Sequence, residues 1–123
     1  SAHTQHRRSI AVKFLKGISN PNLELPNIQN VEMHDFHVFP IFAQRREDFV
    51  EHMKVENIAV GHHYPTRLWQ LDFLNVHNDI RRDAFEHAEK VVRSEVSLPI
   101  FPLMTTNEVN RVIAACNSFV ATT

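Results

Sequence analysis

Glycine is the residue this chain almost lacks. Gly17 and Gly61 are the only two in 123 residues, where a globular average near about 7% would supply several more. Glycine is the default wherever a backbone turns through positive φ or closes on a ligand. The Gly-rich cradles of dinucleotide-binding and P-loop folds are therefore excluded at once.

The rest of the composition is that of an ordinary globular domain. It is 43% hydrophobic and 22% charged, enough to bury a core without staples, and 123 residues fit one domain, 1–123. The net charge of −1 gives no field that would favour nucleic acid or an anionic membrane. The pairs Arg7–Arg8, Arg45–Arg46 and Arg81–Arg82 read as solvated helix faces. Cys116 is the one cysteine, so an intrachain disulfide is excluded and a reducing, cytoplasmic setting is the expectation. No apolar run reaches membrane-spanning length, and the N-terminus carries no signal-peptide core.

Hydrophobic spacing predicts the elements. Ile10, Ala11, Phe14, Leu15 and Ile18 line one face of a helix over 5–18. The crowd of His3, His6, Arg7 and Arg8 at its start is electrostatically odd, because a helix N-terminus favours negative charge. Leu23–Leu25 reads as a short strand, and 36–42 (FHVFPIF) as the strongest one, apolar on both faces. Pro40 cannot donate to a ladder, which predicts an edge or a bulge there. A helix follows over 45–55 with Phe49, Val50 and Met53 inward, then a strand over 57–60. A loop over 70–79 and a helix over 80–95 come next, the latter with Phe85, Ala88, Val91, Val92 and Glu95 at helical spacing. Residues 97–102 read as extended, and Thr105 with Glu108 as a capping box opening the last helix. Val109, Val112, Ile113, Cys116 and Phe119 make its stripe, with Cys116 a small buried hydrophobe. The expected fold is α+β: two layers, a short, mostly antiparallel sheet and about four helices.

The most polar-aromatic stretch is 61–69, GHHYPTRLW. With 57–60 as a strand, Ile58, Val60 and His62 share one face and Ala59, Gly61 and His63 the other. The small residues on the second face leave room for a ligand beside His63. Pro65 restricts the backbone of Tyr64 and so sets the direction of its phenol.

Other chemistry is poorly supplied. Nine histidines invite a metal site, but His34/His37 and His62/His63 are spaced to diverge on a strand, and no closed ligand set stands out. No serine stands in a glycine-flanked nucleophile elbow, and the acid pairs Glu47–Asp48 and Glu86–Glu89 lie on polar helix faces. From residues alone, the chain is a globular α/β domain with one polar-aromatic surface loop.

Taken in order, HRRSIAVKFL, HVFPI, HHYPTRLW and AFEHAEKVVRSEVSLPIFPLMTTNEVNRVI resemble the C-terminal small domain of the DegT/DnrJ/StrS-type sugar aminotransferases. The resemblance runs over residues 6 to about 115. It implies the small-domain fold of fold-type I aminotransferases. Family members are dimers that depend on pyridoxal phosphate and move an amino group, usually from glutamate, to a keto sugar carried on a nucleotide. The resemblance places their Schiff-base lysine, pyridine-facing acid and phosphate-binding residues in a large domain outside this sequence. Lys13, Lys16, Lys54 and Lys90 match none of the family's catalytic positions, so the chain alone is expected to bind no cofactor and to be catalytically incomplete. By the same resemblance His63 and Tyr64 line the nucleotide-sugar side of the site. Arg67 and Trp69 stand nearby where the family carries proline and histidine, and His37 matches a strand histidine that is either structural or in contact with substrate.

Three functions compete on this reading: the small domain of such an aminotransferase, an orphan interaction module that pairs with itself or another protein, and a small histidine metal protein. The first two predict self-association, most simply a two-fold dimer. It would run through apolar surface on the first helix (Phe14, Ile18) or on the loop with Trp69, Leu71 and Phe73.

Overall fold

A computed structural model describes residues 1–28, 30–61 and 93–121. In chain order these form α1 (Ala2–Gly17), β1 (Leu23–Glu24), a 3₁₀ turn (Val31–Met33), β2 (Phe39–Ala43), α2 (Arg46–Val55), β3 (Glu95–Leu98) and α3 (Thr106–Ser118). The described part is thus α+β, with three helices and a three-stranded antiparallel sheet in the order β1-β2-β3. Most of the helix expected over 80–95, the loop over 70–79 and Trp69, Leu71 and Phe73 lie outside the described residues. The expected end of that helix is corrected: Glu95 opens β3 and is buried.

Alternation along the strands separates two faces. Phe39, Ile41 and Ala43 of β2 and Val96 and Leu98 of β3 point into the core. There Phe14 of α1 meets Phe39 edge-on at 5.2 Å between ring centroids. Phe49 of α2 meets Phe119, just past α3, at 5.1 Å, an edge-to-face geometry that aromatic quadrupoles favour. Phe14 and Ile18 are buried in this core, so they are unavailable for the self-association expected of them. Val50 of α2, expected inward, is more than a third exposed, and only Phe49 and Met53 of that helix are buried.

β2 is the central strand, not an edge, and carries Pro40 nonetheless. The register explains this. β1 pairs only with Phe42 and Ala43. Pro40 lies opposite Ser97, whose own N–H and C=O both turn away from β2 to bond Gly61. In an antiparallel ladder that makes Pro40–Ser97 a non-hydrogen-bonded pair. The missing N–H of Pro40 therefore faces the β1 side, beyond the end of β1, and no ladder bond is lost.

None of the left-handed turns uses glycine. Phe36, Arg45 and Asn57 have φ of 52°, 54° and 60°, and no glycine has positive φ. Asn57 ends α2 in a Schellman arrangement: its N–H bonds Lys54 O at 3.0 Å, and the Ile58 N–H bonds Met53 O at 2.8 Å. Ile58 is buried with Met53, the apolar contact that accompanies such a cap. This is why 57–60 is not the strand expected from its residues: its first position belongs to the helix cap, and only Gly61 makes a bridge to the sheet. Gly17 serves close packing instead. A Cβ there would stand 3.0 Å from Ile113 Cδ1 on α3.

Asparagine amides join the ends of α1 and α3. Buried Asn20 donates through Nδ2 to Cys116 O (2.8 Å) and Phe119 O (2.6 Å), and its Oδ1 accepts from Asn22 N at 2.9 Å. Asn117 donates back to Gly17 O (2.9 Å) and accepts from Ser19 N (2.8 Å). Orphan carbonyls at both helix C-termini are satisfied this way. The N-terminus of α3 carries the capping box expected from the sequence, with Thr105 Oγ1 accepting from Glu108 N and Glu108 Oε1 accepting from Thr105 N.

Candidate functional site

The sheet edge at Gly61 is where the described structure meets the GHHYPTRLW stretch. Gly61 and Ser97 exchange two backbone hydrogen bonds, 2.9 and 2.8 Å, in an antiparallel bridge. This places Gly61 on the open side of β3, with the chain there running in the same sense as β2. His63, Tyr64, Arg67 and Trp69 themselves lie outside the described residues. Of the alternation expected before them, Ile58 is buried and Ala59 exposed, while Val60 and Gly61 are both half-buried.

Behind Gly61 lies a feature the sequence did not disclose. Glu95 and Ser97 occupy the sheet face opposite the core, beside Pro40 and Phe42. Both are buried, and Ser97 Oγ donates to Glu95 Oε1 at 2.8 Å. A buried carboxylate is costly unless it is hydrogen-bonded or paired, so this face is a built polar surface and not a spare one. The helical spacing that runs up to Glu95 concealed it. The alternation of the four residues Glu95–Leu98 was too short to override that pattern.

His37 lies apart. It is exposed, at a bend before β2 and not on the strand where it was expected. It precedes the Phe39 end of β2, which pairs with Leu98. The chain at Gly61 travels away from that end. In the described topology His37 therefore lies toward the end of the sheet that the chain at Gly61 leaves behind.

The turn that carries His37 is held by α1. Arg7 Nε donates to Asp35 O at 2.9 Å and Arg8 Nε to His34 O at 2.8 Å, with Arg8 Nη2 also 3.8 Å from the Asp35 carboxylate. The basic residues that looked misplaced at a helix N-terminus are engaged on neighbouring carbonyls, and the helix itself starts at Ala2 with Ser1 Oγ accepting from Thr4 N.

The other groups the sequence raised are inert or solvated. Cys116 is fully buried, and burial pushes its thiol up to about 12. The thiolate is the nucleophile of cysteine, so Cys116 has no nucleophilic role at neutral pH. Lys13, Lys16 and Lys54 are exposed. Lys54 borders a shallow groove of about 400 Å³ with Val50, Asn57, Ile58, Ala59 and Val60, and no acid stands in this lining to face a pyridine nitrogen. Pyridoxal phosphate chemistry needs a lysine and a pyridinium partner together, so this groove does not fit the cofactor; Lys90 lies outside the described residues. Among the described residues no group of three or more His, Cys, Asp or Glu side chains could hold a metal ion. No described helix is long and apolar enough to cross a membrane.

This fold, with a three-stranded antiparallel sheet, a bridged Gly61 edge and a capped last helix, is that of an aminotransferase small domain. Residues 2–117 match the model of the DegT/DnrJ/EryC1/StrS aminotransferase family, and the chain belongs to that family. It is 32% identical over 115 residues to the dTDP-3-amino-3,6-dideoxy-alpha-D-galactopyranose transaminase of Aneurinibacillus thermoaerophilus, covering 94% of this chain and 31% of that protein. It superposes on the crystal structure of S. venezuelae DesV in complex with a ketimine intermediate with a TM-score of 0.74 at 24% identity, covering 96% of this chain and 33% of that one. A putative sugar aminotransferase from Streptococcus pneumoniae in its PMP form gives a TM-score of 0.70 at 16% identity, covering 94% and 30%. The two structural likenesses establish the fold. The chain spans about a third of the length of the relatives it matches.

Proposed function

We propose that residues 1–123 form one domain, the small domain of a pyridoxal-phosphate-dependent nucleotide-sugar aminotransferase, and that it supplies the sugar side of the active site. The observation that carries this reading is coverage. Nearly all of this chain aligns with about a third of a dTDP-sugar transaminase. The lysine and the phosphate-binding groups then belong to the other two thirds of such an enzyme. In it, pyridoxal phosphate supplies the electron sink for amino transfer, and this domain binds and orients the keto sugar.

His63 and Tyr64 are the residues assigned to the sugar, with Arg67 and Trp69 as further contacts; the exposed His37 stands apart from the Gly61 edge. A neutral imidazole and a phenol each donate and accept hydrogen bonds, which suits a hydroxyl-rich ligand. A working enzyme of this kind is a homo-oligomer, and its partner of recognition is a nucleotide sugar.

The test uses the complete aminotransferase that contains this domain. His63→Ala and Tyr64→Phe each remove about 0.5–1.5 kcal/mol of neutral hydrogen bonding, so nucleotide-sugar use falls roughly two- to tenfold while the absorbance of bound cofactor is unchanged. If either substitution lowers the melting temperature and leaves the kinetics of the folded fraction intact, these are fold residues and the assignment fails.

A further inference from the structure

At the outer edge of the 57–61 segment an open sheet edge and an apolar groove coincide. Gly61 turns both its N–H and its C=O to Ser97. Neighbouring residues of an extended chain turn theirs the opposite way, so those of Val60 point away from β3. Among the described residues they meet no hydrogen-bond partner. The next pairing toward Asn57 would set Ala59 opposite Pro99, which has no N–H to give. The ladder therefore ends at Gly61, and the segment before it stands off the sheet. Along this edge runs the groove of about 400 Å³ that Val50, Lys54, Ala59 and Val60 help to line. Val50 lies on α2 between Phe49 and Met53, both fully buried, yet is itself 38% exposed. Ala59 in the same lining is small and exposed, which leaves room for an extended chain against the edge.

We propose that this groove receives an extended segment from the part of the aminotransferase that lies outside this chain, and that the segment adds to the sheet at Val60. The proposal rests on the reading of the chain as one domain of a longer enzyme, about two thirds of whose length is elsewhere. An open edge is a template for a further strand. Strand addition draws affinity from main-chain hydrogen bonds and selectivity from pockets for alternate side chains. The segment pairs its own N–H and C=O with those of Val60 and lays an apolar side chain over Val50. Lys54 is the charged side chain among the described lining residues, which favours an acidic residue at that end. Two copies of this chain meeting here would share only the Val60 hydrogen bonds and a shallow groove, a thin basis for the roughly 1,200 Å² that a stable interface buries. A segment of the same polypeptide docks at a high effective concentration, and for it so short an edge suffices.

The experiment is residue-resolved hydrogen exchange on the complete aminotransferase that contains this domain. The Val60 amide should exchange at least a hundredfold more slowly than an open amide. In Val50→Lys, which sets a charge where the apolar side chain lies, that protection should fall at least tenfold. The paired sheet amides of Ile41 and Val96 and the absorbance of bound cofactor should not change. A photo-crosslinking side chain placed at position 50 should capture residues of the same polypeptide outside 1–123. Free exchange at Val60 in the complete enzyme overturns the proposal. So does a crosslink to residues 1–123 of a second subunit, which makes the edge a self-association site. Both leave the sugar-site reading standing on its own test, because neither involves His63 or Tyr64. A polypeptide that carries nothing beyond 1–123 removes the reading of a longer enzyme, and the docked segment falls with it.

Discussion

Asn20 offers the sharpest test of how this fold is held together. It is buried, and its amide serves three partners: two α3-end carbonyls that take its N–H groups and the Asn22 N–H that its oxygen accepts. The two carbonyl partners settle the amide orientation, because a carbonyl oxygen in the Nδ2 position would face two acceptors. Asn20→Ala removes all three of these bonds, and Cys116 O keeps only the longer 3.3 Å bond from Phe119 N. At about 1 kcal/mol net for each hydrogen bond, the loss is roughly 2–4 kcal/mol. For a domain of this size that corresponds to a fall in melting temperature of about 8–15 °C. Asn20→Asp is the discriminating control. It is nearly isosteric and keeps the acceptor for Asn22, but it removes both donors and places a negative charge against the carbonyl end of a helix, where the dipole disfavours it. At neutral pH Asn20→Asp should be at least as destabilised as Asn20→Ala and should recover part of the loss once the carboxyl is protonated. Urea melts followed by circular dichroism measure all three proteins. An Asp variant as stable as wild type at pH 7 would mean that the two carbonyl contacts contribute nothing, and the account of the joined helix ends would be wrong.

Two further outcomes follow from the titratable groups. The Cys116 thiol is pushed up to about 12 by burial from an ordinary value of 9.0, so the unfolded chain loses this proton first and stability falls as pH rises through that window, by up to about 1.4 kcal/mol per pH unit. Wild type should therefore lose stability faster than Cys116→Ala between pH 9 and 11, and a disulfide-exchange reagent at pH 8 should leave the native thiol untouched; a rapid native reaction would refute the burial argument. At the start of α3, Thr105→Ala should cost about 1 kcal/mol for the lost cap. The Glu108 carboxyl is held below its usual range by the Thr105 backbone N–H first and the Thr105 hydroxyl next. Its stabilisation is present above the unfolded pKa and lost as pH falls through the folded one, and in Thr105→Ala that loss should begin at higher pH. Identical acid limbs in the two proteins would show that the hydroxyl does not matter.

Much of this molecule was legible in its residues because the signals concerned are local. The stripes on α1 and α3, the capping box at Thr105 and the burial of Cys116 follow from spacing within one helix turn. The scarcity of glycine excluded whole fold classes without reference to any contact. The in-order motifs pointed to the family in the same direct way. Tertiary structure decided what depends on partners distant in sequence. Pro40 sits in a central strand because β1 stops short and Ser97 turns its backbone toward Gly61, facts of register that no property of Pro40 contains. Glu95 continues a helical period in sequence, yet it is taken into a strand by pairing with Phe42. Asn57 ends a helix where a strand was expected, because the Ile58 N–H reaches back to Met53. Arg7 and Arg8 looked like a charge misplaced at a helix start until the 34–37 turn was seen against them. Each reversal has the same physical cause: a backbone group is satisfied by whichever partner the packed chain brings within hydrogen-bonding distance, and local sequence does not encode which partner arrives.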